Sequence, residues 1–262
     1  MVAASLKFAE SDGLKIAYTP TDARASGAAL NKAIIAAACS GQMDFADIGG
    51  PVMRVDFRGQ GGSEAPREID DFSINGYAAD MLSVADAAGV KTPIVLGYSH
   101  AADGAALAAL DEPGRVQALV LVEPAMLLEK GHLQRRVKLL EAGKVDEALR
   151  LTFKFANPRI SGEELEAAIA HAKEFYGKSG ASFLGETLAR LHSPIDEGRL
   201  GTIGVPTLVI GGTRSSIRSN VARVAKAIPN ASVMWIDGAD HFLAGKTKQV
   251  MQVIKSFVET LS

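Results

Sequence analysis

Short aliphatic runs recur along this chain, spaced by segments with helical periodicity, and that alternation restricts the fold more than any other feature. The runs are KAIIAAAC (32–39), PVMRVDFRG (51–59), TPIVLGYS (92–99), VQALVLVEPA (116–125), VPTLVIGG (205–212) and SVMWIDG (232–238). Most are too uniformly apolar for strands with one wet face, so they read as strands buried on both sides. Between them, SINGYAADMLSVADAAGV (73–90), ADGAALAALDEP (102–113) and SNVARVAKAIP (219–229) place apolar residues three and four apart, as does the terminal TKQVMQVIKSFVETL (247–261). Gly89 stands where a helix C′ residue is expected, and Pro113 would close the second helix. Strands alternating with helices predict an α/β fold: a mostly parallel central sheet flanked by helices. The start of the chain, SLKFAESDGLKIAYTP, alternates around Ser11-Asp12-Gly13 and reads as a hairpin.

The rhythm breaks after residue 125. Residues 126–203 offer no convincing strand. LQRRVKLLEAG, VDEALRLTFKFAN, SGEELEAAIAHAKEFYG and SFLGETLARLHS read instead as amphipathic helices separated by Gly, Pro and Ser. Ser161 with Glu164 has the spacing of a capping box. The expected division is a core of residues 1–125 and 204–262, with a helical cap of residues 126–203 inserted between two core strands.

Composition excludes several partners. With 47% apolar and 22% charged residues the chain can bury a sizeable core, and a net charge of −2 without a Lys/Arg run gives no footing for nucleic acid or an anionic membrane. Cys39 is the one cysteine, so neither an intramolecular disulfide nor a Cys-based metal cluster is available. No apolar run reaches the roughly 18 residues of a membrane span, and the N-terminus lacks a secretory signal pattern. The expected location is the cytoplasm. His and carboxylate residues do not cluster at ligand spacing, so no metal or organic cofactor is implied. Self-association is left open.

One junction carries chemistry. In Gly97-Tyr98-Ser99-His100-Ala101 a greasy strand meets an alanine-rich helix, and small residues flank the turn. A strand-to-helix turn of type G-x-S-x-G strains the serine backbone and lifts its hydroxyl over the C-terminal edge of the sheet. Alanine replaces the usual last glycine here. The bland alternative is a serine that only caps its helix. Three further motifs follow the same order as in one known family: VDFRGQGGSEAP (55–66) upstream, VPTLVIGG before an acid loop, and IDGADHF (236–242) as a histidine loop. Over nearly its full length the chain resembles the α/β-hydrolase fold family with a helical cap.

The resemblance implies roles residue by residue. Ser99 is the expected nucleophile and His241 the base that takes its proton. The family's usual acid position falls in Thr213–Arg218, which holds no carboxylate, only Ser215 or Ser216 at the expected place. Some members carry the acid at the end of the strand before the cap, where this chain has Glu123. The alternatives are a structural turn in which Glu123 bonds backbone N–H groups, Asp240 as acid, or a broken triad. For the oxyanion hole the resemblance implies the His100 amide and a second donor at Gln42 or Met43, although Ser40-Gly41 replaces the usual His-Gly. Tyr98, Gly41, Leu127, Phe153 and Phe242 are expected around the substrate. Leu128, Phe155, Phe175, Tyr176 and Phe183 are further candidates, each also explicable as packing, as is Trp235. For His100 a structural role is favoured, while His132, His171 and His192 read as ordinary residues of the inserted segment.

The expected function is a serine hydrolase acting on a small hydrophobic carboxylic ester, lactone or related acyl bond through an acyl-enzyme on Ser99. Two alternatives stand beside it: a cofactor-free dioxygenase of the same fold, and a non-catalytic ligand-binding member. The expected partner is a small hydrophobic molecule.

Overall fold

A computed structural model describes residues 5–22, 27–38, 45 and 48–261. The expected hairpin forms: β1 (Lys7–Ser11) and β2 (Leu14–Pro20) pair antiparallel around Asp12-Gly13. β3 (Ile34–Ala38), β4 (Val52–Val55), β5 (Ile94–Tyr98), β6 (Ala118–Val122), β7 (Thr207–Gly212) and β8 (Ala231–Ile236) complete one sheet among the described residues, in the order β1-β2-β4-β3-β5-β6-β7-β8. From β4 onward every pairing is parallel. The aliphatic runs are buried on both faces, as their composition requires.

Side-chain alternation divides the core in two. Ile94, Leu96 and Tyr98 of β5 join Val120 and Val122 of β6 against α9 (Thr247–Thr260). Val95, Leu119 and Leu121 point the other way, into the cluster built with α1 (Ile74–Ala87), α2 (Ala101–Asp111) and α8 (Arg218–Ala227). Ser73 caps α1 by accepting from the Gly76 N–H at 3.0 Å. The 55–66 motif braces this face. Asp56 accepts from the Gly62 N–H, and Arg58 reaches both Asp80 of α1, at 2.7 Å, and Asp12 of the hairpin turn, at 2.8 Å.

Between β6 and β7 the chain runs through α3 (Gly131–Glu141), α4 (Val145–Ala156), α5 (Gly162–Tyr176), α6 (Ala181–Leu191) and the single turn α7 (Glu197–Leu200). These helices hold an apolar cluster of their own, including Leu140, Leu149, Phe153, Ile169 and Phe183, and Phe242 packs against it from the other side of the chain. α6 lies so close to the core that a Cβ at Gly185 would come within 2.3 Å of the Phe72 ring. Ser161 is the N-cap of α5 but its side chain accepts no capping bond, so the expected box does not close. The reason is local: Gly162 follows with φ of 56°, a left-handed start that turns the chain away from the geometry the box needs.

Candidate active site

Parallel pairing brings the C-terminal ends of β5, β6 and β7 to one edge of the sheet, where ligands of open α/β sheets bind. Two residues at that edge leave their strands in the left-handed region: Ser99 with φ of 58° and Glu123 with φ of 49°. Such backbone costs on the order of 1–3 kcal/mol, so something must hold it. The same device serves both. The Ser99 N–H donates to Val122 O of the next strand, and the Glu123 N–H donates to Ile210 O of the strand after, each at 2.8 Å. Gly97 makes the first bend feasible, because a Cβ there would sit 2.4 Å from Ala101 O.

The consequence is a hydrogen-bonded chain across three strand ends. Ser99 Oγ lies 2.9 Å from His241 Nε2, and His241 Nδ1 lies 2.9 Å from Glu123 Oε2. All three side chains are buried. The carboxylate offers only acceptors, so Nδ1 carries the ring proton and Nε2 accepts from the serine hydroxyl. Glu123 is held from two further directions: the Gly212 N–H donates to Oε1 at 2.5 Å and Ser215 Oγ donates to Oε2 at 2.6 Å. Ser215 in turn accepts from the Ile217 N–H at 3.2 Å, which turns its proton toward the carboxylate. The loop after β7 thus supplies a hydroxyl that orients an acid borne by β6. The two readings of Glu123 merge, since it meets the imidazole and a backbone N–H together. Asp240 faces elsewhere: it accepts from Asn157 Nδ2 and from the Phe242 N–H.

The Ser99 hydroxyl opens onto a cavity with about 70 Å³ accessible to water centres, room for on the order of five water-sized groups. Phe153 and Phe242 line it, as do Leu128, Phe155, Tyr176 and Phe183. Other expected wall residues do not. Leu127 packs into the main core beside Leu128, which takes the place in the wall. Tyr98 lies beneath the site, donating its hydroxyl to His241 O at 2.6 Å. Phe175 packs within the inserted helices and meets Tyr176 edge-on. Gly41, Gln42 and Met43 lie outside the described residues. His100 opens α2, where the N–H groups have no carbonyl one turn earlier to bond and the helix dipole presents its positive end.

Four charged or titratable residues of the wall were not expected from the sequence: His132, Arg136, Glu186 and Arg190. A signal for three of them exists. Arg136 falls on the face of α3 marked by Leu133 and Leu140, and Glu186 and Arg190 fall on the face of α6 marked by Phe183. Charged residues at apolar-stripe positions point inward. His100 joins them, its Nε2 lying 3.1 Å from Glu186 Oε2. Burial raises the Glu186 carboxyl, but His100, Arg190 and Arg136 outweigh it and hold the group at about 2. Burial brings the Arg136 guanidinium down to about 10, with Arg190 adding to the effect, so it stays charged at neutral pH. Burial, then Arg136 and Arg190, press His132 down to about 4, and its neutral ring stacks on Phe155 at 4.3 Å. Among the described residues no three His, Cys, Asp or Glu side chains converge as a metal site would require.

Comparison with known proteins agrees with this geometry. The chain matches the sequence profile of the alpha/beta hydrolase fold over residues 41–245. Among solved structures it is similar to an enol-lactonase from Burkholderia xenovorans, at TM-score 0.78 and 17% identity, over 97% of this chain and 98% of that one. It is similar to a hydrolase from Pseudomonas aeruginosa at TM-score 0.79 and 22% identity, over 98% and 99% of the two chains. An esterase from a Rhodococcus species matches at TM-score 0.67 and 21% identity, over 98% of this chain and all of that one. The protein whose strand ends, turns and buried histidine are described above belongs to the alpha/beta hydrolase fold family.

Proposed function

We propose that the protein is a serine hydrolase acting on small carboxylic esters, lactones or related acyl compounds. The observation that carries this reading is the unbroken line from Ser99 Oγ through His241 to Glu123, at 2.9 Å per link, at the floor of a cavity. Ser99 attacks the carbonyl carbon while its proton passes to His241 Nε2. Glu123 holds the ring in the right tautomer and offsets the imidazolium charge. The oxyanion is stabilised by the His100 N–H at the head of α2, with Gln42 or Met43 as the second donor. The carbon–heteroatom bond then breaks, and His241 returns the proton to the leaving group. Water repeats the sequence on the acyl-enzyme, releasing the acid and restoring Ser99. Residues 126–203 act as a cap whose helices shape the acyl pocket of a core made of residues 1–125 and 204–262.

The solved structures of an enol-lactonase and an esterase support acyl-bond chemistry as the class. The test is labelling with a fluorophosphonate, peptide mapping of the adduct, and turnover of p-nitrophenyl acetate. The label is expected on Ser99, and Ser99→Ala is expected to abolish both labelling and turnover. An adduct elsewhere, or a Ser99→Ala variant as active as the parent, overturns the reading.

A further inference from the structure

The cavity wall is apolar in one part and charged in another, and the charged part is short of acceptors. Arg136 and Arg190 both line it, with side chains only 3% and 7% exposed. A buried guanidinium without good partners is expensive. The nearest carboxylate is already engaged. Glu186 Oε2 accepts from Tyr176 OH at 2.6 Å and from Gln60 Nε2 at 3.2 Å, with His100 Nε2 at 3.1 Å. Only Oε1 faces Arg136, and at 3.8 Å it is beyond hydrogen-bond range. Among the described residues the hydrogen bond that Arg136 makes is a long one, 3.4 Å to Thr187 Oγ1. Arg190 Nε is buried without a hydrogen-bond partner and stands 3.6 Å from Asp103 Oδ2. Two rigid donor forks therefore meet the cavity with few acceptors in reach.

We propose that this cluster is an anion subsite, and that the compound hydrolysed at Ser99 carries a carboxylate that accepts hydrogen bonds from Arg136 and Arg190. The inference rests on the hydrolase reading of Ser99 and narrows its substrate class from hydrophobic acyl compounds to short ones with a free carboxylate. The planar fork of arginine matches a carboxylate with two parallel bonds. Glu186 and Asp103 already stand beside the guanidiniums, so the cluster favours a monoanion over a doubly charged phosphate. The cavity's small volume favours a chain of a few carbons.

Two substrate pairs test the proposal on the intact protein. Monoethyl glutarate against diethyl glutarate reads a carboxylate in the acyl part. 3-Carboxyphenyl acetate against 3-carbamoylphenyl acetate reads one in the leaving group. In at least one pair, kcat/KM is expected to favour the carboxylate by about tenfold or more, the gain of a charge-assisted hydrogen bond. Arg136→Met is expected to bring that ratio to about one, and Arg136→Lys to restore part of it. Equal or reversed ratios in both pairs, with esters still cleaved, overturn the subsite and leave the hydrolase reading intact. If no ester is cleaved and Ser99 is not labelled, the hydrolase reading fails, and binding decides the subsite. Calorimetric titration of Ser99→Ala should then show monoethyl glutarate binding about tenfold more tightly than the diester, with the difference lost on adding Arg136→Met. No difference there overturns the subsite as well.

Discussion

Replacing Glu123 by glutamine keeps the shape of the side chain and removes its charge, and the surroundings leave the amide no good orientation. Three donors converge on the carboxylate: the Gly212 N–H on Oε1, and Ser215 Oγ and His241 Nδ1 on Oε2. If the amide oxygen faces Gly212, its NH2 group faces His241 Nδ1. The ring must then move its proton to Nε2, and Ser99 loses its acceptor. If the oxygen faces His241, the NH2 group opposes the Gly212 N–H across 2.5 Å, donor against donor. That arrangement leaves a buried N–H unsatisfied, at about 1–3 kcal/mol, and forfeits a charge-assisted bond to the imidazolium, at about 1.5–3 kcal/mol. The sum, about 2.5–6 kcal/mol, corresponds to a loss of about 10²- to 10⁴-fold in kcat. KM should change little, because Glu123 is fully buried behind the histidine and does not line the cavity. The assay is p-nitrophenyl acetate turnover, with circular dichroism and a thermal melt showing that the variant folds. A folded Glu123→Gln variant with kcat within threefold of the parent would refute the assignment of Glu123 as the acid.

Two more outcomes follow from the structure. His132 is held at about 4 in the fold against 6.5 when exposed, so the unfolded chain takes up its proton first and stability drains away as pH falls from about 6.5 to about 4. Asp103, raised by burial to about 6, acts in the opposite sense in much the same window, so the parent alone would mask the effect. The stability difference between parent and His132→Gln, from urea titrations at pH 7.5 and pH 4, should therefore shift by about 3 kcal/mol in favour of the variant at low pH; a flat difference contradicts the burial argument. Gly97→Ala would force a Cβ within 2.4 Å of Ala101 O and 2.5 Å of the Ala102 backbone, neither of which can yield. A loss of about 3 kcal/mol is expected, lowering Tm by about 6–12 °C; an unchanged melt would show that the turn is looser than described.

The strands and the site's central line were readable because each obeys a strong local rule. Runs buried on both faces announced the sheet, and a serine between small residues at a strand end announced the turn. Glu123 could be singled out because a carboxylate ending an apolar strand needs a partner. What escaped was set by tertiary surroundings. The Ser161–Glu164 spacing was right, but the backbone of Gly162 decided against the box. Leu127 and Leu128 are chemically alike, and only the path of the chain after β6 selects which one meets the cavity. Arg136, Glu186 and Arg190 sat inside helices that looked solvated. Their inward positions show only when charged residues are checked against the apolar stripe. Aromatic residues drew attention to a greasy pocket and hid its polar part.

Glu186 has a consequence for traffic into the site. One carboxylate joins α6 to Gln60 of the core, to Tyr176 of α5 and to His100 beside the nucleophile. Swinging the inserted helices away as a rigid shutter would strip that anion of its neighbours at one stroke, a penalty of several kcal/mol. Phe155 borders the same cavity and is 36% exposed. Ingress and egress are therefore cheapest past a rotating ring, on the nanosecond scale of side-chain motion, with the helical roof staying down.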